Sequence, residues 1–226
     1  MFFIFRIGPN SSKGDNVNLV YFIGWCLCRL FFTVYCPRRC YNLELVPSGP
    51  VILASNHESF IDPFLVGAVL KRPLHFLARD NLFRSVIGMI LRVVNAVPVN
   101  REGGGAAGLR AILGRLQDGG GILIFPEGTR TSDGHLQQGR SGIGLLVLES
   151  SPFIPVVPVR VLTYNVWGRH RPIPQPGRVF VQFGEAMFFK KLREEARSCS
   201  KTRRKEICQE IADRVMTAIA QLKQPK

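Results

Sequence analysis

A histidine and an aspartate five positions apart, His57 and Asp62, are the residues of this chain whose types and spacing best suit chemistry. A histidine can accept a proton near neutral pH, and a nearby carboxylate can hold its ring in one tautomer and stabilise the charged form. The stretch lacks the nucleophile-elbow setting that presents a catalytic serine or cysteine. The pair therefore predicts a general base that activates a substrate hydroxyl directly.

The segments on either side of this pair predict its place in the fold. Residues 50–54 form an apolar run typical of a buried strand, and Asp62-Pro63 is a typical helix start, with Asp at the N-cap and Pro at the first helical position. His57 should then lie in a tight turn at the carboxyl end of a strand, where open α/β sheets bind ligands. The alternative is that Asp62 only caps the helix and His57 is an ordinary turn residue.

A second polar turn, FPEGTR at residues 125–130, ends another apolar strand predicted at residues 121–125. Gly128 permits backbone geometry that other residues rarely adopt, and Arg130 offers a planar fork of donors suited to a phosphate. Glu127 could orient Arg130 or contact an acceptor hydroxyl. A surface salt bridge at a turn is the alternative, but both turns end core strands, which favours one shared crevice.

The remaining hydrophobic pattern alternates strands with helices, which predicts an α/β fold with a mixed, largely parallel sheet flanked by helices. Further strands are predicted at residues 42–46, 73–78, 97–101, 153–162 and 178–183. Helices are predicted at residues 63–70, 81–94, 106–117, 138–150 after an initial loop, and 201–222. The strand at 97–101 contains a proline and is expected at or near an edge of the sheet.

Residues 1–45 are predicted to form an N-terminal membrane-associated segment, and residues 46–226 the main domain. Residues 17–36 are mostly apolar and aromatic and long enough to cross a bilayer, but Arg29 lies in their middle. A helix that lies in, or dips into, the cytoplasmic face of a membrane is therefore expected. A core helix of a soluble domain and a transmembrane helix are the alternatives.

The chain of 226 residues carries a net charge of +14, which implies an anionic partner. No helix-turn-helix, RNP-type or zinc-finger signature is present, and the basic residues adjoin apolar segments. This pattern favours an anionic membrane surface over nucleic acid. The six cysteines lack metal-ligand spacing, so no metal site is predicted, and buried thiols in a reducing compartment are expected.

Four blocks of the sequence resemble, in this order, the glycerolipid acyltransferase family, and the 1-acylglycerol-3-phosphate acyltransferases in particular. The blocks are Asn56-His57 with Asp62, VPVNR at 97–101, FPEGTR at 125–130 and IPVVPV at 154–159. The resemblance covers about residues 50–183. Two departures, Arg79 where the family often has lysine and Gln138-Gly139-Arg140 where it often has Lys-Gly, bear on the acceptor more than on the reaction.

The resemblance implies acyl transfer from acyl-CoA or acyl-carrier protein to the hydroxyl of a lysophospholipid, with 1-acylglycerol-3-phosphate giving phosphatidic acid. His57 would be the base and Asp62 would orient it, while the helix at 81–94 would line a groove for the acyl chain. No cofactor is implied beyond the thioester co-substrate. The implied substrate-binding residues, with the arginines on the acceptor's phosphate, are Asn56, Arg79, Arg101, Glu127, Gly128, Thr129 and Arg130.

Three alternatives to this function remain at the level of the sequence. The same chemistry could act on another acceptor, such as glycerol phosphate or an amino-lipid. The chain could be a non-catalytic lipid-binding module that uses a retired site. The net charge could serve nucleic-acid binding, which predicts salt-sensitive retention on DNA and no binding to liposomes.

Overall fold

A computed structural model describes residues 15–70, 72–84, 88, 91, 96–99 and 106–223 of the chain. These residues form a seven-stranded mixed sheet in the order β1-β7-β6-β2-β5-β3-β4. The strands are β1 (Arg38–Tyr41), β2 (Val51–Ser55), β3 (Leu74–Arg79), β4 (Ala96–Val99), β5 (Gly121–Ile124), β6 (Val156–Leu162) and β7 (Val179–Phe183). Neighbouring strands are parallel except β6 and β7, which pair antiparallel. The predicted α/β class is therefore confirmed.

Helices cover both faces of the sheet. They are α1 (Asp15–Val34), α2 (Asp62–Val69), α3 (Ala106–Gln117), α4 (Gly142–Glu149), α5 (Tyr164–Trp167), α6 (Lys190–Ser198) and α7 (Lys201–Gln221). The side chains of the central strand β2 alternate between the two faces. Val51 and Leu53 pack with α1 and α2, whereas Ile52 and Ala54 pack with α3, α4, α6 and α7. Successive side chains of a strand point to opposite faces, so one buried strand serves two cores.

The edges of the sheet confirm one prediction and correct another. The strand predicted at 97–101 is observed as β4, at the edge position that its proline indicated. The strand predicted at 42–46 is wrong, because Asn42 has a left-handed φ of 57° and Leu43–Leu45 form a 3-10 turn. The strand observed in this region is β1, at residues 38–41, which pairs with β7. These four residues of the predicted N-terminal segment therefore belong to the sheet. The division at residue 45 otherwise stays a prediction.

The helix predicted over residues 81–94 is described only in part. Asp80–Arg84 form a 3-10 turn and residues 88 and 91 are helical, while most of the positions between 85 and 95 lie outside the described residues. Two helices, α5 and α6, were not predicted from the sequence. α5 is a single turn, and α6 is strongly polar and buries little more than Leu192 and Ala196 on its inner face.

The N-terminal helix predicted over 17–36 is observed as α1, which packs against α2. Trp25 Nε1 donates to the carbonyl of Leu70 at 3.2 Å, and Arg29 Nη1 donates to that of Ala68 at 3.3 Å. The Arg29 guanidinium also lies 4.6 Å from the centre of the Trp25 ring. Arg29 therefore faces the protein. No helix in the described part of the chain has both the length and the apolar character needed to cross a bilayer.

The outer face of α1 is apolar as well. Ile23, Leu27, Leu30 and Val34 lie at positions i, i+4, i+7 and i+11, which places them on one face of the helix. Their exposed fractions run from 49% to 73%. We call these four residues the outer stripe of α1. A helix that is apolar on both faces is suited to an apolar neighbour on its outer side as well as on its inner side.

The contact between α4 and α7 requires glycine at position 144. A Cβ atom there would lie 2.1 Å from the carbonyl oxygen of Cys208 and 2.4 Å from its Cα. We expect Gly144→Ala to lower the free energy of unfolding by about 2 kcal/mol or more, because the two helix backbones must move apart. Urea denaturation measures this change. Gly142→Ala is the control in the same helix, since nothing lies within 4 Å of its Cβ position; equal stability of the two variants would contradict the close contact.

Candidate active site

Two polar turns meet at one edge of the sheet. β2, β5 and β6 are parallel neighbours, so their carboxyl ends lie on the same side. The turn after β2 holds His57, and the turn after β5 holds FPEGTR. The His57 N–H donates to Glu127 Oε1 at 3.1 Å, and the Thr131 N–H donates to the His57 carbonyl at 2.8 Å. The structure therefore brings the two predicted motifs into direct contact.

The His57 imidazole is fixed on two sides. Its Nδ1 lies 2.8 Å from Oδ2 of Asp62, whose side chain is fully buried, while 19% of the His57 side chain is exposed. The ring also stacks on Phe125, with 3.9 Å between the ring centres and 18° between the planes. A proton on Nδ1 satisfies the carboxylate contact, so Nε2 is the nitrogen available to accept another proton. The arrangement suits a general base.

The Asp62 carboxylate serves the turn rather than the helix. The sequence predicts Asp62 as the N-cap of α2, but the structure makes it the first helical residue, with no side-chain capping bond at this helix. Its Oδ2 accepts the N–H groups of Glu58 and Ser59 at 2.8 Å each, and Oδ1 accepts the hydroxyl of Thr163. The N-cap assignment is therefore wrong, because the carboxylate turns back to hold the turn and His57.

Asn56, predicted to bind substrate, lies behind the cavity and is 1% exposed. Its amide pairs with the backbone of Val161 in β6, donating at 3.0 Å and accepting at 2.8 Å, and Nδ2 also donates to Glu58 Oε1 at 3.1 Å. Glu58 Oε2 accepts the N–H groups of Thr163 at 2.7 Å and Tyr164 at 2.9 Å. These bonds tie the turn after β2 to the end of β6.

Glu127 also points into the protein and is 2% exposed. It accepts the His57 N–H, and no ion pair joins it to Arg130 among the described residues. The surface salt bridge and the contact that would orient Arg130 are therefore both missing from this part of the chain. Its observed partner is the backbone of the turn that carries His57.

Burial raises the pKa of both Glu58 and Glu127 to about 7. In each case the loss of solvation outweighs hydrogen bonds from backbone N–H groups, which lower the pKa. Neighbouring charge adds to the effect: Asp62 raises the pKa of both groups, and Glu58 raises that of Glu127. Three buried carboxyl groups thus lie behind His57, and two of them, Glu58 and Glu127, are largely protonated and uncharged below about pH 7.

A cavity of about 800 Å³ opens in front of His57. Its volume suits a ligand with both an acyl chain and a headgroup. The apolar lining includes Phe60, Phe64, Phe76, Leu82, Leu91 and Leu123. The polar lining, besides His57, comprises Asn81, Thr129, Arg130, Arg140 and Arg169. Aromatic and aliphatic walls with cationic polar groups fit an amphiphile that has an anionic headgroup.

The predicted substrate-binding residues divide into three groups in the structure. Gly128, Thr129 and Arg130 line the cavity. Asn56 and Glu127 lie behind it, as described above. For the remaining two, Arg79 ends β3 with a side chain outside the described part of the structure, and Arg101 lies outside the described residues altogether. The roles predicted for these two arginines stay predictions.

Two cavity arginines were missed by the site prediction, Arg140 and Arg169. Gly128 has a φ of 70°, and a Cβ there would lie 3.1 Å from Cδ and Nε of Arg140, so glycine lets this side chain lie against the turn. The Arg140 N–H also donates to the carbonyl of Pro126 at 2.8 Å. The signal for Arg140 was the basic residue expected shortly after FPEGTR. Arg169 has no local signal, because it reaches the cavity from the loop between α5 and β7.

The two raised carboxyl pKa values predict that the protein loses stability as pH rises from about 4.5 to about 7. In this window the folded carboxyls keep protons that the unfolded chain has released, so the free energy of unfolding falls by about 1 kcal/mol per pH unit per group. Glu127→Gln keeps an acceptor for the His57 N–H and removes one of the two carboxyl groups that titrate in this range. We expect a shallower fall in urea denaturation across this range. Glu185→Gln, at an exposed carboxyl, is the control; the same slope in both variants would contradict the raised pKa.

Comparison with known proteins agrees with this geometry. Residues 37–162, more than half of the chain, match the family model described as Acyltransferase. The chain is 29% identical over 120 residues to 1-acyl-sn-glycerol-3-phosphate acyltransferase of Bacillus subtilis, covering 52% of this chain and 60% of that protein. It is 28% identical over 185 residues to 1-acyl-sn-glycerol-3-phosphate acyltransferase beta of Homo sapiens, covering 77% and 64%. The chain spans less than two thirds of the length of these relatives.

The fold is similar to the crystal structure of the 1-acyl-sn-glycerophosphate (LPA) acyltransferase PlsC from Thermotoga maritima. The TM-score is 0.70 at 21% sequence identity, covering 96% of this chain and 86% of that chain. At this identity the likeness concerns the fold. The family match, in contrast, contains both turns that build the candidate site. On that match, this protein belongs to the Acyltransferase family.

Proposed function

We propose that this chain transfers a fatty acyl group from a thioester to the free hydroxyl of a lysophospholipid. The acceptor is 1-acyl-sn-glycerol-3-phosphate, as the names of its relatives suggest, and the product is phosphatidic acid. The observation that carries the proposal is the His57–Asp62 contact at the head of a cavity with apolar walls and cationic polar residues. Such a cavity suits a lysophospholipid better than a soluble sugar or nucleotide.

The proposed reaction uses His57 as a base toward the acceptor. Nε2 takes the hydroxyl proton while the acceptor oxygen attacks the thioester carbonyl carbon. Asp62, in contact with Nδ1, stabilises the imidazolium. The carbon–sulfur bond then breaks, and the leaving thiolate takes the proton from His57. The cavity lining includes no serine or cysteine among the described residues, which favours direct attack by the acceptor oxygen.

Arg130 is the proposed partner of the acceptor's phosphate, with Arg79 and Arg101 as further candidates from the sequence. Arg140 and Arg169 add positive charge to the same cavity. The apolar wall would take the acyl chain. General base catalysis contributes about 10²–10⁴-fold, so holding both substrates in position must supply much of the remaining acceleration. The thioester is acyl-CoA or acyl-carrier protein, both anionic and so attracted by a net charge of +14.

Membrane association, at the cytoplasmic face, is part of the same proposal. The exposed outer stripe of α1 is suited to the interface of a bilayer, and basic proteins are attracted to anionic lipid. An acyl chain that leaves a bilayer for an equally apolar cavity gains little free energy. The mouth of the cavity should therefore face the membrane, so that the lipid acceptor need not cross water.

His57→Ala should abolish most acyl transfer without unfolding the protein. We expect kcat/KM to fall by about 10²–10⁴-fold, because the hydroxyl loses its base. Transfer of labelled acyl groups to 1-acylglycerol-3-phosphate, with product analysis by thin-layer chromatography and release of free thiol, measures this. His135→Ala, at an exposed histidine outside the cavity, is the control. Near wild-type turnover in His57→Ala would refute the base assignment, and thiol release by neither protein would favour a non-catalytic lipid-binding module.

Arg130→Ala should weaken binding of the acceptor far more than binding of the thioester. We expect the apparent KM for 1-acylglycerol-3-phosphate to rise about tenfold or more, since a charged hydrogen-bond partner of the phosphate is lost. The KM for acyl-CoA should change little, and an acceptor without a phosphate should be insensitive to the substitution. Arg214→Ala, at an exposed arginine of α7, is the control. Equal effects on both substrates would remove Arg130 from the phosphate site.

A further inference from the structure

The loop between α5 and β7, residues 168–178, carries features that the proposed reaction does not use. We call this segment the proline loop, after Pro172, Pro174 and Pro176. Ile173 lies between two of these prolines and is 68% exposed. Most of this large aliphatic side chain is therefore not buried by the described fold.

The proline loop is held in one shape by hydrogen bonds at its base. Trp167 Nε1 donates to the carbonyl of Arg171 at 3.0 Å, and the Gln175 N–H donates to that of Val166 at 2.8 Å. The Arg171 guanidinium donates to Gln175 Oε1 at 3.0 Å. Prolines fix φ and limit the remaining freedom of the loop. Ile173 is therefore presented by a pre-ordered segment, which lowers the entropy lost if that segment binds a surface.

The loop lies beside the C-terminal end of α1. Tyr35 Oη donates to the carbonyl of Pro174 at 3.1 Å, and Cys36 Sγ lies 3.8 Å from that of Gln175. The residue next to Tyr35 is Val34, the most exposed member of the outer stripe of α1 at 73%. The proline loop thus lies beside the end of α1 at which the outer stripe finishes.

The charged residues of the proline loop and of the chain on either side of it are all basic. The sequence contains no Asp or Glu between Glu149 and Glu185, while the proline loop contains Arg169, Arg171 and Arg178. Arg169 is exposed and also lines the cavity in front of His57, so the loop forms part of the cavity mouth. An apolar tip within a basic segment complements the interface of an anionic bilayer, where acyl chains lie beneath negative headgroups.

We propose that the proline loop is a second membrane-contacting element, which inserts Ile173 into an anionic bilayer beside the outer stripe of α1. Two separate contacts, one from the proline loop and one from α1, fix the orientation of the protein on the bilayer. Contact through one helix alone would leave the protein free to rotate about the axis of that helix. The loop then holds the cavity mouth, through Arg169, at the level of the lipid headgroups. This contact extends the proposed membrane association and does not depend on acyl transfer.

A probe at position 173 tests the insertion directly. The full chain with Cys26→Ser and Cys40→Ser, which remove the two exposed cysteines, carries Ile173→Cys labelled with a nitrobenzoxadiazole dye. On phosphatidylcholine vesicles that contain phosphatidylglycerol, we expect a blue shift and quenching by spin-labelled acyl chains. Phe153→Cys is the matched control, because Phe153 is 81% exposed but lies before the amino end of β6, whereas the proline loop lies at the carboxyl end of that strand. Quenching at 173 no greater than at 153 would overturn the proposal.

Charge substitution gives an independent measurement on the unlabelled chain. We expect Ile173→Asp to weaken cosedimentation with the same vesicles about tenfold, since an inserted apolar side chain is replaced by a carboxylate. Phe153→Asp should leave binding nearly unchanged. Equal losses in the two variants would indicate general charge repulsion and would overturn the bilayer contact. No acyl donor or acceptor is present, so these outcomes are separate from the test of the reaction.

Discussion

The buried carboxylate of Asp62 is the contact on which the site depends. A carboxylate removed from water is stable only when donors satisfy its oxygens. Here the donors are the imidazole of His57, two backbone N–H groups of the turn and the hydroxyl of Thr163. The same group therefore shapes the turn, aims the histidine and ties both to the end of β6. Loss of any one donor leaves the others around a less well satisfied charge, so the turn and the histidine cannot be adjusted separately.

The end of β6 holds both walls of the site in position. Thr163 and Tyr164 bind the first turn through Asp62 and Glu58, and Tyr164 Oη donates to the carbonyl of Ser132, beyond FPEGTR, at 2.7 Å. The Tyr164 ring also packs against Gly134, whose φ of 85° lets the chain turn beneath it. A residue that touches both walls fixes the width of the crevice. Thr163 and Tyr164 thus position the site without lining the cavity.

The sequence predicts which residues could do chemistry at the site better than it predicts which residues hold the site in place. His57 and Asp62 are close in the chain, so a single strand–turn–helix pattern brings them together, and FPEGTR likewise needs only one turn. Asn56 and Glu127 have the same polar character, yet they turn inward, because their partners lie 105 and 70 positions away. Arg169 reaches the cavity by a similarly long path. Local patterns carry no information on such partners, whereas the fold class and most of the strands follow from apolar periodicity and from the alternation of strands with helices.

The arrangement of charge explains why the cavity is asymmetric. Carboxyl groups occupy the buried side of His57, and arginines occupy the open side. Within the first set, Asp62 contacts Nδ1 and favours positive charge on the histidine, while the arginines of the second set favour an anionic ligand. Among the described residues, no ion pair joins a carboxyl of the first set to an arginine of the second. His57 therefore lies between the buried carboxyl groups and the arginines of the cavity.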